Sequence, residues 1–313
     1  MPLIPQRLAW PPGLASNCTS TRTESTVSTS TRSPTVHSRV EIVAECDAYG
    51  RTHLTRLWAE GAIGVRRTGD SYVHLVGTAA GPIGSDTIEI DISVSDGACL
   101  SVEGVAATIA LPGATPGEGQ LRQHVRLGER ARLHLALPAL IVTKDAFVRS
   151  QVEVDASNTS ELVLLEQVSL GRFQEAGGAW SGRMLADFGG SPALRQSQNH
   201  ASILHALGRE GESGCGALVS RLELGPARWS PAEVGTHAGA INAVLAQGGR
   251  LLTAVGASLA RAHRELNELL LLNTVAPAPG AVEHGRQFSR AEIRQTGDDL
   301  SSLLNSAIRT PKD

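Results

Sequence analysis

The sequence predicts an all-β dominated fold: short strands wound into a coiled, superhelical, β-helix-like stack and closed by a C-terminal α-helix. A β-sandwich is the alternative architecture. Three observations carry this expectation. Apolar and polar residues alternate with a strand's period of two through much of 39–273. Gly97, Gly128 and Ser157 interrupt that alternation about every 30 residues, as a repeat of paired strands does. Helical spacing is strong in one place only, after Ser258.

Residues 1–38 stand apart. Their Ser/Thr tract, "SNCTSTRTESTVSTSTRSPTVHS", has too few apolar side chains to bury anything and reads as a disordered leader. The strand-rich domain then runs from 39 to 273. In "TIEIDISV", Ile88, Ile90, Ile92 and Val94 take one face and Glu89, Asp91 and Ser93 the other. "SDGA" turns the chain, and Leu100 and Val102 continue the inner face in "CLSVEG". The rhythm returns in "VRLGERARLHLAL" and again in "VEVDASNTSELVLLE", and "VEIVAECDAYGRTHLTRLW" reads as an earlier copy. From an N-cap at Ser258, Leu259, Ala262, Leu266 and Leu269 or Leu270 line one helix face, opposite Arg261, Arg264, Glu265 and Glu268. The surplus leucines, Leu269 and Leu270 first, are candidates for a partner contact. "APAPG" then opens a linker and a short helical tail over 274–313.

Composition excludes several function classes. A net charge of −3 argues against a broad basic surface for nucleic acid. No apolar run is long enough to span a bilayer. Cys18, Cys46, Cys99 and Cys215 form no CxxC pair and read as reduced thiols of a cytoplasmic protein. The two lysines, Lys144 and Lys312, follow no glycine, so a Walker-type phosphate loop is excluded, and GxGxxG and GxSxG are absent. His200 and His205 are five apart, the wrong spacing for a metal pair on a helix. With aromatics at 3%, the platforms of a carbohydrate-active enzyme are missing too. No enzyme, and no stably bound cofactor, is expected.

One residue breaks the pattern. In "ELVLLEQVSL", Leu162, Leu164, Val168 and Leu170 share a face, and Glu166 sits among them while Gln167 and Ser169 point away. A carboxylate there must be paired, hydrogen-bonded, protonated or beside water. Arg172, or backbone N–H groups, are its candidate partners if it is purely structural.

Three blocks resemble the urease accessory protein D family, called H in some organisms. They are "GPIGSDTIEIDISVSDGACLSV" with Asp86 and Gly97, "GVAATIALPG", and the segment carrying Glu166, Gly171, Arg172 and Glu175. "LLTAVGAS" followed by a helix resembles the family's C-terminal portion. The chain departs from the family at Gly104 and Ile109, and at Ala136 and Leu137 before Pro138. The resemblance implies a non-catalytic maturation factor that docks on the urease apoprotein together with an F-type accessory protein and a G-type GTPase. It also implies an internal, water-filled path for transient Ni²⁺, for which Glu166 and Glu175 are the candidate carboxylates. The rival readings are a β-helical carbohydrate-active enzyme and a stand-alone structural β-repeat protein.

Overall fold

The computed structural model describes residues 35–208, 216–226, 235–237 and 239–272, all within one unit that runs from Ser33 to Asp313. The expected leader up to residue 34, Cys18 and Cys215, and the tail over 274–313 lie outside the described residues.

Among the described residues, strands form two sheets. The first is seven-stranded, in the order β14 (Ser191–Asn199), β13 (Ala179–Phe188), β11 (Phe147–Ala156), β8 (Glu118–Leu127), β5 (Thr87–Val94), β1 (His37–Cys46) and β2 (Thr52–Glu60). The second runs β16 (Gly235–His237), β17 (Ala240–Val244), β18 (Arg250–Gly256), β15 (Gly216–Leu224), β12 (Glu161–Leu170), β9 (Arg132–Ala136), β6 (Cys99–Gly104), β4 (Tyr72–Gly77) and β3 (Ile63–Arg67). Two short strands complete it, β10 (Leu140–Val142) beside β12 and β7 (Thr108–Ala110) beside β10.

The order of the strands shows the coil. From β5 the chain turns into β6 of the other sheet, from β8 into β9, and from β11 into β12, and each strand lies parallel to its counterpart in the next coil. The turns are those marked by Gly97, Gly128 and Ser157, and they are stitched together. Gly97 N–H donates to Glu129 O at 2.7 Å, Glu129 N–H to Asp96 Oδ1 at 2.7 Å, and Ser157 N–H to Leu127 O at 3.0 Å. Gly97 has φ +72, a left-handed conformation that favours glycine. Asp86 anchors the start of the same coil, accepting from Val36 N–H at 2.7 Å and Ile83 N–H at 3.0 Å.

The expected earlier copy is not a coil. β1 and β2 form an antiparallel hairpin within the first sheet, because Asp47 Oδ1 accepts from Tyr49 N–H and Arg51 N–H and turns the chain straight back. β13 and β14 form another hairpin at the opposite end. The second sheet likewise changes to antiparallel pairing at β3–β4 and from β15 onwards. Each sheet therefore has a parallel centre and antiparallel ends.

Side chains stack in rows between the sheets. Ile42, Ile92, Val125, Val154 and Ala186 form one row, and Ala44, Val94, Leu127, Ala156 and Phe188 another, all at most 5% exposed. From the other sheet, Val102, Leu135, Leu164, Leu222 and Leu251 meet them in one continuous core.

The helices are α1 (His200–Ala206) and α2 (Leu259–Leu272). α2 covers the outer face of β15 and β18, where Ala262, Leu266 and Leu269 pack on Ala217, Val219, Leu252 and Ala254. Two expectations are corrected here. Leu269 is 2% exposed, because it anchors the helix to the sheet, and Leu270 is partly buried beside it, leaving Leu271 projecting. Glu265, expected on the open face, is 1% exposed and ion-paired with Arg261 one turn earlier.

Candidate functional site

β12 is the strand on which both sheet faces become chemically distinct. Its inner face carries Leu162, Leu164, Glu166, Val168 and Leu170, each opposite an inward residue of β15. Its outer face lies under α2, so Gln167 is buried rather than open to solvent as its register alone suggested. Gln167 Nε2 donates to Leu137 O at 3.2 Å, and Gln167 Oε1 lies 2.6 Å from His263 Nε2 of α2.

The sheet is interrupted beside these residues. β9 pairs with β12 only as far as Leu165, and β10 resumes at Val168. The connection between them contains Pro138, which has no N–H to offer a ladder. Gly104 makes room for it: a Cβ there would lie 2.5 Å from Pro138 Cγ. At this break lies a cavity of about 30 Å³, lined by Gln123, Ser150, Glu166, Gln167 and apolar neighbours such as Ile90 and Leu140. That volume accommodates about one or two water molecules.

Glu166 meets a hydroxyl rather than a guanidinium. Ser150 Oγ–H donates to Glu166 Oε1 at 3.1 Å, and Trp180 Nε1–H donates to Ser150 Oγ at 3.1 Å. An indole N–H can only donate, so it fixes which way the serine proton points. The Trp180 ring lies over Gly182, where a Cβ would come within 2.2 Å of Cζ2. Among the described residues no cationic group offsets the burial of Glu166, and burial lifts its carboxyl to about 7, opposed only by the Ser150 hydrogen bond. Gln123, 5% exposed and lining the same cavity, has an Oε1 with no hydrogen-bond partner among the described residues.

The polar line continues through the second sheet. Glu166 is opposite Ser220 on β15, and Ser220 is opposite Thr253 on β18, with 3.4 Å between the two hydroxyls. Thr253 in turn lines a larger recess of about 420 Å³ with Gln198, Ser202, Thr236 and apolar residues that include Ile203 and Leu218.

Glu175 belongs to a different local structure. Arg172 holds it through Nε–H and Nη2–H bonds of 2.8 Å each, and Arg172 N–H adds a third at 3.0 Å. These bonds, led by the guanidinium, hold the Glu175 carboxyl down at about 2. Arg172 is thus the partner of Glu175, not of Glu166, and Glu175 is not among the residues lining either cavity. Gly171, at φ +81, makes the turn possible, since a Cβ there would lie 2.3 Å from Glu175 O. The turn projects Phe173, 91% exposed.

On the outer face of the second sheet, Glu223 is buried between Arg221 and Arg250, with nitrogen–oxygen distances of 2.5 and 2.7 Å. Burial pushes its carboxyl up, and the two guanidiniums outweigh that and bring it below the ordinary value. Among the described residues no group of three His, Cys, Asp or Glu side chains is placed to hold a metal ion.

Ser150 and Gln123 were not singled out from the sequence. They give the same signal as Glu166, a polar residue on the apolar register of its strand, in "FVRSQVEV" and "EGQLRQHVRL".

These features sit inside a recognisable family frame. The model of the UreD urease accessory protein family matches residues 37–296, most of the chain. The chain belongs to the UreD family. A urease accessory protein UreD of Parafrankia sp. (strain EAN1pec) is 29% identical over 281 residues, spanning 88% of this chain and 92% of its own. One from Frankia casuarinae is 29% identical over 239 residues, 67% of this chain and 72% of its own. The urease accessory protein UreD 3 of Streptomyces griseus is 33% identical over 168 residues, 51% and 65%. Membership of UreD supports a part in urease maturation, and an accessory family points to a non-catalytic role. No helix among the described residues is long and apolar enough to cross a membrane.

Proposed function

We propose that the protein is a cytoplasmic, non-catalytic scaffold in urease maturation. It docks on the urease apoprotein with an F-type accessory protein and a G-type GTPase, and its interior passes Ni²⁺ towards the urease active site. The observation that carries this reading is the run of oxygen-bearing side chains at facing register positions, Glu166, Ser220 and Thr253, which links the residues lining two cavities in a largely apolar core. A carboxylate buried without a cation beside it costs stability, and stability alone favours an apolar residue there. Oxygen donors at intervals lower the barrier for a divalent cation while holding it too weakly to trap it. Glu175 enters this reading in a second place, at a rigid surface turn with Phe173, where an ion or a partner first meets the protein.

The reading is tested with Glu166→Gln and Glu175→Gln, made separately. Each variant is measured for thermal stability, for capture by the F-type partner, and for urease activation at limiting nickel. Glu166→Gln is expected to keep its fold and partner and to activate less urease. Normal activation by that variant removes the ion path through Glu166.

A further inference from the structure

α2 is fastened to the second sheet less firmly than the strands are to one another. Its apolar contact is a small cluster separate from the main core, in which Ala262, Leu266 and Leu269 meet Ala217, Val219, Ala240, Leu252 and Ala254. Alanine supplies three of those five sheet side chains, and each buries little area. The same interface buries Glu265, whose carboxylate accepts no hydrogen bond among the described residues and depends on its ion pair with Arg261. One bond reaches beyond this contact. His263 Nε2–H donates to Gln167 Oε1 at 2.6 Å, and Gln167 Nε2–H donates to Leu137 O at 3.2 Å. An amide oxygen only accepts, so the imidazole nitrogen facing it carries a proton. Leu137 lies where β9 has left β12 and β10 has not yet joined it, and its N–H donates to Leu165 O at 3.0 Å. Two hydrogen bonds in series therefore tie α2 to the break in the sheet.

We propose that α2 is a detachable strap, latched by His263 on Gln167, and that its release loosens the connection between β9 and β10. The strap requires neither nickel nor a partner protein. Acid works against the latch. The charged side chains on the elements beneath α2 are engaged elsewhere: Glu161 of β12 with Arg132, and Glu223 of β15 with Arg221 and with Arg250 of β18. Glu166 lies on the inner face of β12, β16 carries His237, and β17 has no titratable residue. On α2 itself Glu265 is paired with Arg261, while Arg264 and Glu268 are exposed. Burial alone lowers the His263 pKa from its ordinary 6.5. The docked helix thus holds this proton more weakly than the released one. Its advantage is complete above 6.5 and is lost as pH falls through the folded value.

The test is hydrogen–deuterium exchange of the full chain and of two variants, His263→Gln and His263→Leu, at about pH 7.5 and about pH 5.5, corrected for intrinsic rates. Glutamine keeps a donor with nothing to titrate, and leucine removes the donor. In the wild type, α2 and residues 137–142 are expected to lose protection together at the lower pH, while β5 and β8 keep theirs. His263→Leu is expected to exchange roughly three- to tenfold faster in both segments at both pH values, as the loss of one hydrogen bond does. His263→Gln is expected to stay protected at both. Faster exchange confined to α2 in His263→Leu overturns the link to the break, and faster exchange in every strand overturns the strap. A wild-type pH dependence retained in His263→Gln overturns the latch, because the titrating group is then another residue.

Discussion

Glu166 has a carboxyl that titrates near 7 because it is buried, against about 4.5 for the free side chain. The folded protein holds this proton more tightly than the unfolded chain does. The stabilising proton is fully present below about 4.5 and lost as pH rises through about 7, so stability falls across that window. The effect is on the order of 3 kcal/mol. Urea midpoints measured from pH 5 to pH 8 are expected to fall in the wild type and to fall less in Glu166→Gln, which has no proton to lose. Equal slopes would mean that Glu166 is hydrated enough to titrate normally. Gly171 gives a prediction of another kind. Both its φ of +81 and the 2.3 Å approach to Glu175 O oppose a side chain, so Gly171→Ala is expected to cost about 2–4 kcal/mol, read by chemical denaturation.

At the scale of elements, strand register makes the difference between two adjacent residues large. Ile90 is 3% exposed in the row beside Gln123, whereas Glu89 faces out towards His37 and Arg122. Ile90→Asp is expected to cost more than about 3 kcal/mol and Glu89→Lys less than about 1, as soluble yield and denaturant midpoints show. Elements whose polarity is set by one neighbour were legible in the sequence: β5, β8, β11 and β12 all follow their alternation, and so does the buried stripe of α2. Where an outer strand face meets a helix, alternation carries no information about the covering element. Gln167 and Leu269 were misread for that reason, and Glu265 because a buried carboxylate and an exposed one look alike in a helical wheel. Partnerships across the core were equally hidden. Ser150 is 16 residues from Glu166 in the chain and in the opposite sheet, whereas Arg172 is nearer in sequence and engaged by Glu175.

For the whole molecule, the two sheets close a largely apolar core, and among the described residues several large apolar side chains stay outside it. Phe173 is 91% exposed, Leu271 60% and Val105 59%. A chain that carries such residues on its surface is expected to gain soluble yield when produced with the F-type accessory protein proposed as its partner, measured as the fraction remaining in the supernatant. Equal yields with and without the partner would favour a protein that works alone.

The antiparallel ends and parallel centre also order events in time. A hairpin such as β1–β2 or β13–β14 closes over a few residues and forms within about 1–10 μs. β1 must then wait for β5, with β2, β3 and β4 lying between them in the chain, and every later coil repeats such a wait before its strands can pair. Chains dominated by distant pairings reach the native state in milliseconds to seconds. Through that interval the finished hairpins present open strand edges, and the sheet centres that will cover them do not yet exist. The stretch of time before the first coil closes is therefore when this protein is most exposed to self-association, and a partner that arrives during synthesis protects it more than one that arrives afterwards.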